Sequence, residues 1–325
     1  MLGTPSIHTA SRLRGMVNVG NTCYGNALLA ALSRVPRLRG WLSAHTAQVA
    51  SNVQHDRLQC AMCCLTRDFQ GLTEANQRTP LIPETMLHVN LWNDNFVAGA
   101  QHDAEEAFQY LFAACDKCNV KQLKVDLHTP PDEELPQTVR DATPYFQIFG
   151  GVYKNTIHCT TCNCTSSRLE PFTTLQLELL PGVKTLHELI ASRFKPEPCD
   201  NDFICNNDGC NARGTHTKRC HITRWPQLLV VHLKRWRFNT RTQMRSKIDD
   251  FVDFPVTYNT SSDTTYTLRS IVVHRGKANA GHYVAFVRDE GHGWLYYDDA
   301  RTPAATPLSV VMRQCPYMLF YEKRS

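Results

Sequence analysis

The hydrophobic pattern changes period once along this chain of 325 residues, and that change limits the fold more than any other feature. In the first third, apolar residues recur at helix spacing. Ala27, Leu28, Ala31 and Leu32 mark a helix from Cys23 to about Arg34, with Asn21 and Thr22 as suitable N-caps and Pro36 closing the run. A second helical pattern runs from Asp103 to about Ala114, with Ala104, Ala107, Phe108, Leu111 and Phe112 on one side. The Pro-rich acidic stretch H-T-P-P-D-E-E-L-P at 128–136 reads as a loop and a boundary. Beyond it come short β-branched or aromatic runs between polar turns: L-L-V-V-H-L, S-I-V-V-H, H-Y-V-A-F-V, W-L-Y-Y and Y-M-L-F-Y. Helices first and strands after, with neither a βαβ alternation nor an internal repeat, argue for an α+β fold.

Composition narrows the function classes. An apolar content of 42% suffices for a large core, and 16 Gly with 17 Pro exclude collagen-like and low-complexity chains. No apolar run approaches the roughly 20 residues that cross a bilayer, so no membrane role is expected. Residues 1–14 read as an N-terminal tail with two Arg, two Ser and no acid. They lack the apolar core of a secretory signal, so an intracellular location, cytoplasmic and/or nuclear, is expected. A net charge of +5 over this length makes no case for nucleic acid. The 14 cysteines of so long a chain fit reduced thiols, serving as metal ligands or as a nucleophile, better than a disulfide framework.

One cysteine sits where a nucleophile would. In G-N-T-C-Y, Cys23 opens the first helix, whose unpaired N–H groups favour a thiolate. A buried structural cysteine is the alternative, and the polar approach Asn18-Val19-Gly20-Asn21-Thr22 argues against it. Asn18 could aim an amide N–H at a developing oxyanion. Near the other end, A-G-H-Y-V-A-F-V starts a strand with His282 after a Gly-containing turn, and W-L-Y-Y-D-D ends another in Asp298 and Asp299. Adjacent antiparallel strands could set a carboxylate beside the imidazole. Strand alternation groups Asp298 with Trp294 and Tyr296, and Asp299 with Leu295 and Tyr297.

Several of these motifs, in order, resemble a known family. G-M-V-N-V-G-N-T-C-Y-G-N-A-L-L resembles the Cys box of the ubiquitin-specific proteases, papain-like cysteine deubiquitinases. H-R-G-K-A-N-A-G-H-Y-V-A-F-V-R followed by W-L-Y-Y-D-D resembles their His box. Q-H-D-A-E-E looks like their Gln-Gln-Asp-Ala-x-Glu motif, and L-L-V-V-H-L-K-R-W is similar to a palm strand. The resemblance runs from Gly15 to Tyr321. It implies a papain-like fold with a helical thumb at 15–127, a linker at 128–147, zinc-bearing β fingers at 148–224 and a β palm at 225–325. It implies Cys23 as nucleophile, His282 as base, Asp298 as orienting acid, Asn18 at the oxyanion and a supporting role for Asp299. It places Asp103 and Glu106, with Gln101 and Tyr283, on the arginine-bearing C-terminal tail of ubiquitin. Departures lie at Ala30, His102, Ala107 and Trp236, none of them in the triad.

The metal reading rests on C-x2-C at Cys159 and Cys162 and C-x4-C at Cys205 and Cys210, two thiolate pairs suited to one structural zinc. Gly209 would permit the wider turn, and Cys164 and Cys199 are possible substitutes. Cys60/Cys63 and Cys115/Cys118 fall in helical stretches without a sequence partner, so no second metal is expected. The basic, aromatic stretch at 232–247 reads as a strand edge and turn, not a nucleic-acid surface. The expectation is a monomeric deubiquitinase acting on ubiquitin and ubiquitinated proteins. Its rivals are a protease for another ubiquitin-like modifier and a non-catalytic ubiquitin-binding scaffold.

Overall fold

The structure is a computed structural model that describes residues 13–52, 55–73, 79–89, 96–97, 99–130, 133–241, 243–277 and 280–324. Its helices come first: α1 (Cys23–Leu32), α2 (Pro36–Gln48), α3 (Ala61–Thr73), α4 (Glu84–Leu87), α5 (Ala104–Asp126), α6 (Gln137–Asp141) and α7 (Pro144–Phe149). Strands follow: β1 (Gly151–Cys159), β2 (Thr165–Phe172) and β3 (Leu175–Glu178), then α8 (Leu186–Arg193), β4 (Glu197–Pro198), β5 (His216–Arg224) and β6 (Leu228–Lys234). The last part holds β7 (Trp236–Asn239), β8 (Met244–Lys247), β9 (Thr257–Asn259), β10 (Thr265–Lys277), β11 (Ala280–Asp289), β12 (Gly293–Tyr297) and β13 (Ala304–Thr306). It closes with α9 (Leu308–Val311) and β14 (Pro316–Lys323). This is a mixed α+β fold. No helix among the described residues is long and apolar enough to cross a membrane.

The chain divides into two compact units. One comprises residues 1–128, 269–276 and 280–311; the other takes 129–268, 277–279 and 312–325. In the first unit α1 is the central element, with all ten of its residues buried. A helix apolar on every side can only be a core helix, which is why Leu29 and Ala30 are as buried as the stripe beside them. It packs against β11, α3 and α5. Pro36 does more than end the helical run: it is the first residue of α2, where its missing N–H is not needed. Leu38, Trp41, Leu42 and His45 form the buried face of α2, and Trp41 stacks on Phe112 of α5. α5 continues to Asp126, twelve residues past the expected end at Ala114, through a polar stretch that carries Cys115 and Cys118. Strands order β13-β12-β11-β10 complete this unit.

In the second unit β6 is buried at every position up to Leu233, His232 included, as its largely apolar run requires of a central strand. It pairs with β14 antiparallel and β3 parallel. A second sheet orders β2-β1-β5-β4. Thr185 caps α8 with a full capping box to Glu188. The basic stretch at 232–247 runs from the end of β6 through the β7–β8 hairpin, and three of its cations have internal partners. Arg235 is buried, donating to the carbonyls of Pro316, Ile248 and Asp250, while Arg237 donates to Leu179 and Lys247 pairs with Asp249.

Candidate active site and metal centres

The loop before α1 is folded by its own side chains. Asn18 Oδ1 accepts from the Thr22 amide (2.9 Å), and Thr22 Oγ1 accepts from the Val19 amide (3.1 Å). Thr22 occupies the N-cap, yet its side chain makes no capping bond into the helix, and Asn21 lies in the left-handed region. Neither residue therefore caps by side chain as the sequence suggests. Their polar groups bind the preceding loop and, through Asn21 Nδ2, the carbonyl of Gly99 at 2.7 Å. Cys23 follows as the first residue of α1, with its backbone N–H at the positive end of the helix.

Antiparallel β11 and β12 supply the partner groups, with Ala285 opposite Tyr297 and Phe286 opposite Tyr296. Continuing that register by one pair sets Asp298 against Val284, so His282 lies on its diagonal. His282 Nε2 meets Asp298 Oδ1 at 2.7 Å. The other carboxylate oxygen accepts from Tyr296 Oη (3.1 Å) and Arg301 Nη1 (2.9 Å), and Arg275 donates in turn to Tyr296 Oη. Burial works to raise the Asp298 carboxyl. Bonds from His282 and Tyr296, with the charges of His282 and Arg301, outweigh it and hold the group below its ordinary value. His282 moves the other way. Its hydrogen bond with Cys23 contributes most, burial opposes, and the bond to Asp298 adds to the rise, which reaches about 9. The imidazole thus stands between the Cys23 sulfur and the Asp298 carboxylate, both of which favour its protonated form.

The strand-alternation argument does not reach Asp299. β12 ends at Tyr297, and Asp299 turns out of the strand with a φ of 47°. Its oxygens accept from Asn18 Nδ2 and Asn26 Nδ2, both at 2.9 Å, and its carbonyl accepts from Met16 N at 2.7 Å. The main chain at Gly15 runs so close that a Cβ there would overlap the carbonyls of Asp299 and Arg301. Asp299 thus accepts one N–H of the Asn18 amide, on the side of the loop that leads into Cys23. Asn26, buried on α1 one turn after Thr22, was missed at the sequence level. The only signal was a polar residue inside an otherwise apolar helix.

The expected tail-binding residues gather near the same strand. Gln101 Nε2 donates to the carbonyl of Gly281, beside His282. Tyr283 is buried and hydrogen-bonded to Asp103; burial first, then the Asp103 charge, push its phenol well above the usual value. Asp103 also caps α5, accepting from the amides of Glu105 (2.8 Å) and Glu106 (3.3 Å). Glu106 is exposed in the first turn of α5.

Cys159, Cys162, Cys205 and Cys210 come together, with all four sulfurs within 4.8 Å of one another. Cys159 and Cys210 are 3.9 Å apart, Cys162 and Cys205 3.7 Å. Zinc–sulfur bonds of about 2.3 Å place tetrahedral ligands about 3.8 Å apart, so the donor set fits that metal. Gly209, with a φ of 79°, makes the turn of the longer C-x4-C pair. Backbone N–H groups, chiefly that of Cys162, lower the Cys159 thiol to about 5. Cys164 and Cys199 are not in the group. Contrary to expectation, Cys60 and Cys63 do have partners: His45 and His55 complete a second cluster. These histidines come from the end of α2 and the loop after it, outside any C-x-x-C spacing, so pair-counting did not reveal them.

A family model described as ubiquitin carboxyl-terminal hydrolase matches residues 14–321. Among curated proteins, ubiquitin carboxyl-terminal hydrolase 36 of Drosophila mojavensis is 30% identical over 95% of this chain, which spans 26% of that protein. Ubiquitin carboxyl-terminal hydrolase 22 of Bos taurus is 25% identical over 96% of the chain and 67% of its own length. The chain thus spans about a quarter of the length of the Drosophila relatives it matches. A solved SAGA Ubp8/Sgf11/Sus1/Sgf73 DUB module bound to ubiquitin aldehyde superposes with a TM-score of 0.81 at 25% identity. That match covers 100% of this chain and 72% of the other. The same module bound to monoubiquitin gives a TM-score of 0.80.

Proposed function

Since the chain belongs to the ubiquitin carboxyl-terminal hydrolase family, we propose that it is a cysteine deubiquitinase cleaving the isopeptide or peptide bond after ubiquitin's C-terminal glycine. The observation that carries this reading is His282 held by Asp298 at 2.7 Å and bonded on its other side to Cys23, the first residue of α1.

The reaction follows from the atoms in place. Cys23 sulfur attacks the glycine carbonyl carbon, and negative charge moves to the carbonyl oxygen. The remaining N–H of Asn18 Nδ2 and the backbone N–H at the start of α1 receive that charge. Asp299 and Thr22 hold the Asn18 amide at both ends, so the donor is oriented before substrate arrives. His282 passes its proton to the leaving amine, then takes one from the water that hydrolyses the thioester. Asp298 keeps Nε2 as the donor to the carboxylate, which leaves Nδ1 for the sulfur. Asp103, bonded to Tyr283 of the strand that carries His282, and Glu106, exposed in the first turn of α5, suit the arginines of ubiquitin's tail.

We assign one structural zinc to Cys159, Cys162, Cys205 and Cys210; when bound it would cross-link the two turns and take no part in the chemistry. Ubiquitin-bound relatives support ubiquitin as the substrate partner. The test is turnover of a ubiquitin–lysine isopeptide conjugate beside matched conjugates of other ubiquitin-like modifiers. The reading expects cleavage of the ubiquitin conjugate; cleavage of another modifier alone would replace the substrate, and binding without cleavage would make the chain a scaffold.

A further inference from the structure

We propose that His45, His55, Cys60 and Cys63 form a second, structural zinc site, independent of the four-cysteine group. The four ligand atoms lie within 4.8 Å of one another. His45 Nε2 is 3.2 Å from Cys60 Sγ, and His55 Nε2 is 3.4 Å from Cys63 Sγ. Zinc bonds of about 2.0–2.1 Å to nitrogen and 2.3 Å to sulfur place those atoms about 3.5 Å apart on a tetrahedron. These two nitrogen–sulfur pairs are therefore within a few tenths of an ångström of the tetrahedral spacing. The rings of His45 and His55 meet edge to face with centroids 5.6 Å apart.

Burial supports the same conclusion. His45, Cys60 and Cys63 are buried and His55 half-buried, an unusual concentration of ligating groups for an interior. Two imidazoles with two thiolates are a borderline-soft donor set that selects zinc over magnesium or calcium. Four protein ligands close the coordination sphere, so the site is structural and not catalytic.

Its position gives it something to hold. His45 is in the last turn of α2, Cys60 directly precedes α3, and Cys63 is in the first turn of α3. Among the described residues of the connection between them, Leu58 is exposed and Arg57 donates to the nearby carbonyl of Ala50. The metal would pin this loop between two helices that pack on each other. Cys118 of α5, whose sulfur is 3.8 Å from Cys60, makes the competing reading a Cys60–Cys118 disulfide.

The experiment counts zinc in the full chain purified without added metal, against protein measured by amino-acid analysis. Two ions per chain are expected, falling to one in C60S/C63S and to one in C205S/C210S. A single ion or none in the unaltered chain would overturn the proposal, as would two ions retained in C60S/C63S or a Cys60–Cys118 disulfide in peptide maps. If C60S/C63S does not fold, cobalt incorporated during expression gives the same decision. C205S/C210S should then keep the visible absorption of a mixed sulfur–nitrogen site, and complete loss of colour in that variant contradicts the second site.

Discussion

Two neighbouring acids hold different groups, Asp298 the His282 imidazole and Asp299 the Asn18 and Asn26 amides, so on the proposed mechanism their own amides should fail differently. Asp298→Asn leaves the imidazole in the wrong tautomer, so kcat should fall at least about a hundredfold with KM little changed. Asp299→Asn weakens only the grip on Asn18 and Asn26, and about a tenfold loss in kcat is expected, less than deletion of an oxyanion donor outright. Steady-state kinetics on a ubiquitin conjugate measure both; a larger loss at Asp299 would contradict the assignment. The His282 value of about 9, above its ordinary 6.5, sets the pH behaviour. The stabilisation it gives the folded chain is complete below about 6.5 and lost as pH rises through about 9. The alkaline limb of kcat/KM should therefore fall near pH 9 and move to lower pH in Asp298→Asn, which removes one of the bonds that raise it. An unmoved limb would show that another group controls it.

At the scale of elements, α5 ties a binding hypothesis to a structural duty. Asp103 caps the helix as well as presenting charge, so Asp103→Ala should cost about 0.5–2 kcal/mol of stability in addition to any loss of tail capture. Asp103→Asn keeps a capping oxygen, and its melting temperature should stay near that of the parent while kcat/KM falls. Glu106→Lys should lower kcat/KM roughly ten- to hundredfold without a stability change, the worth of one charge-assisted contact. Thermal melts beside kinetics separate the two, and a destabilised Glu106→Lys would put that residue in the fold instead. The contrast among helices also shows what sequence patterning can read. β6 was plain from its β-branched, largely apolar run, and α1 from apolar residues at helix spacing. α2 was not, because Pro36 looked like an end, while its buried Leu38, Trp41, Leu42 and His45 are diluted by arginines and polar residues. The C-terminal half of α5 was missed for a similar reason: lysines and glutamine hide the helical period after Ala114.

At the scale of the whole molecule, the chain leaves its first unit at residue 128 and re-enters it at 269 to deliver β11 and β12. Local periodicity carries no record of that return. Cys23, His282 and Asp298 were each plausible alone, and only the ordered resemblance to a family linked them. The finger cysteines were legible because C-x2-C and C-x4-C are local pairs; the histidines of the second cluster were not, since the helix–loop geometry that gathers them is absent from the spacing. Chelation should therefore lower the melting temperature of the full chain, and an unchanged melt would mean that neither cluster holds metal when folded. The central claim, that Cys23 is the nucleophile of a ubiquitin-directed hydrolase, meets its most direct test in the intact mass of the chain after incubation with ubiquitin bearing a C-terminal thiol-reactive electrophile. One ubiquitin added per chain, mapped to Cys23 and absent from Cys23→Ala, is the predicted result; no adduct, or an adduct that survives in Cys23→Ala, would contradict it.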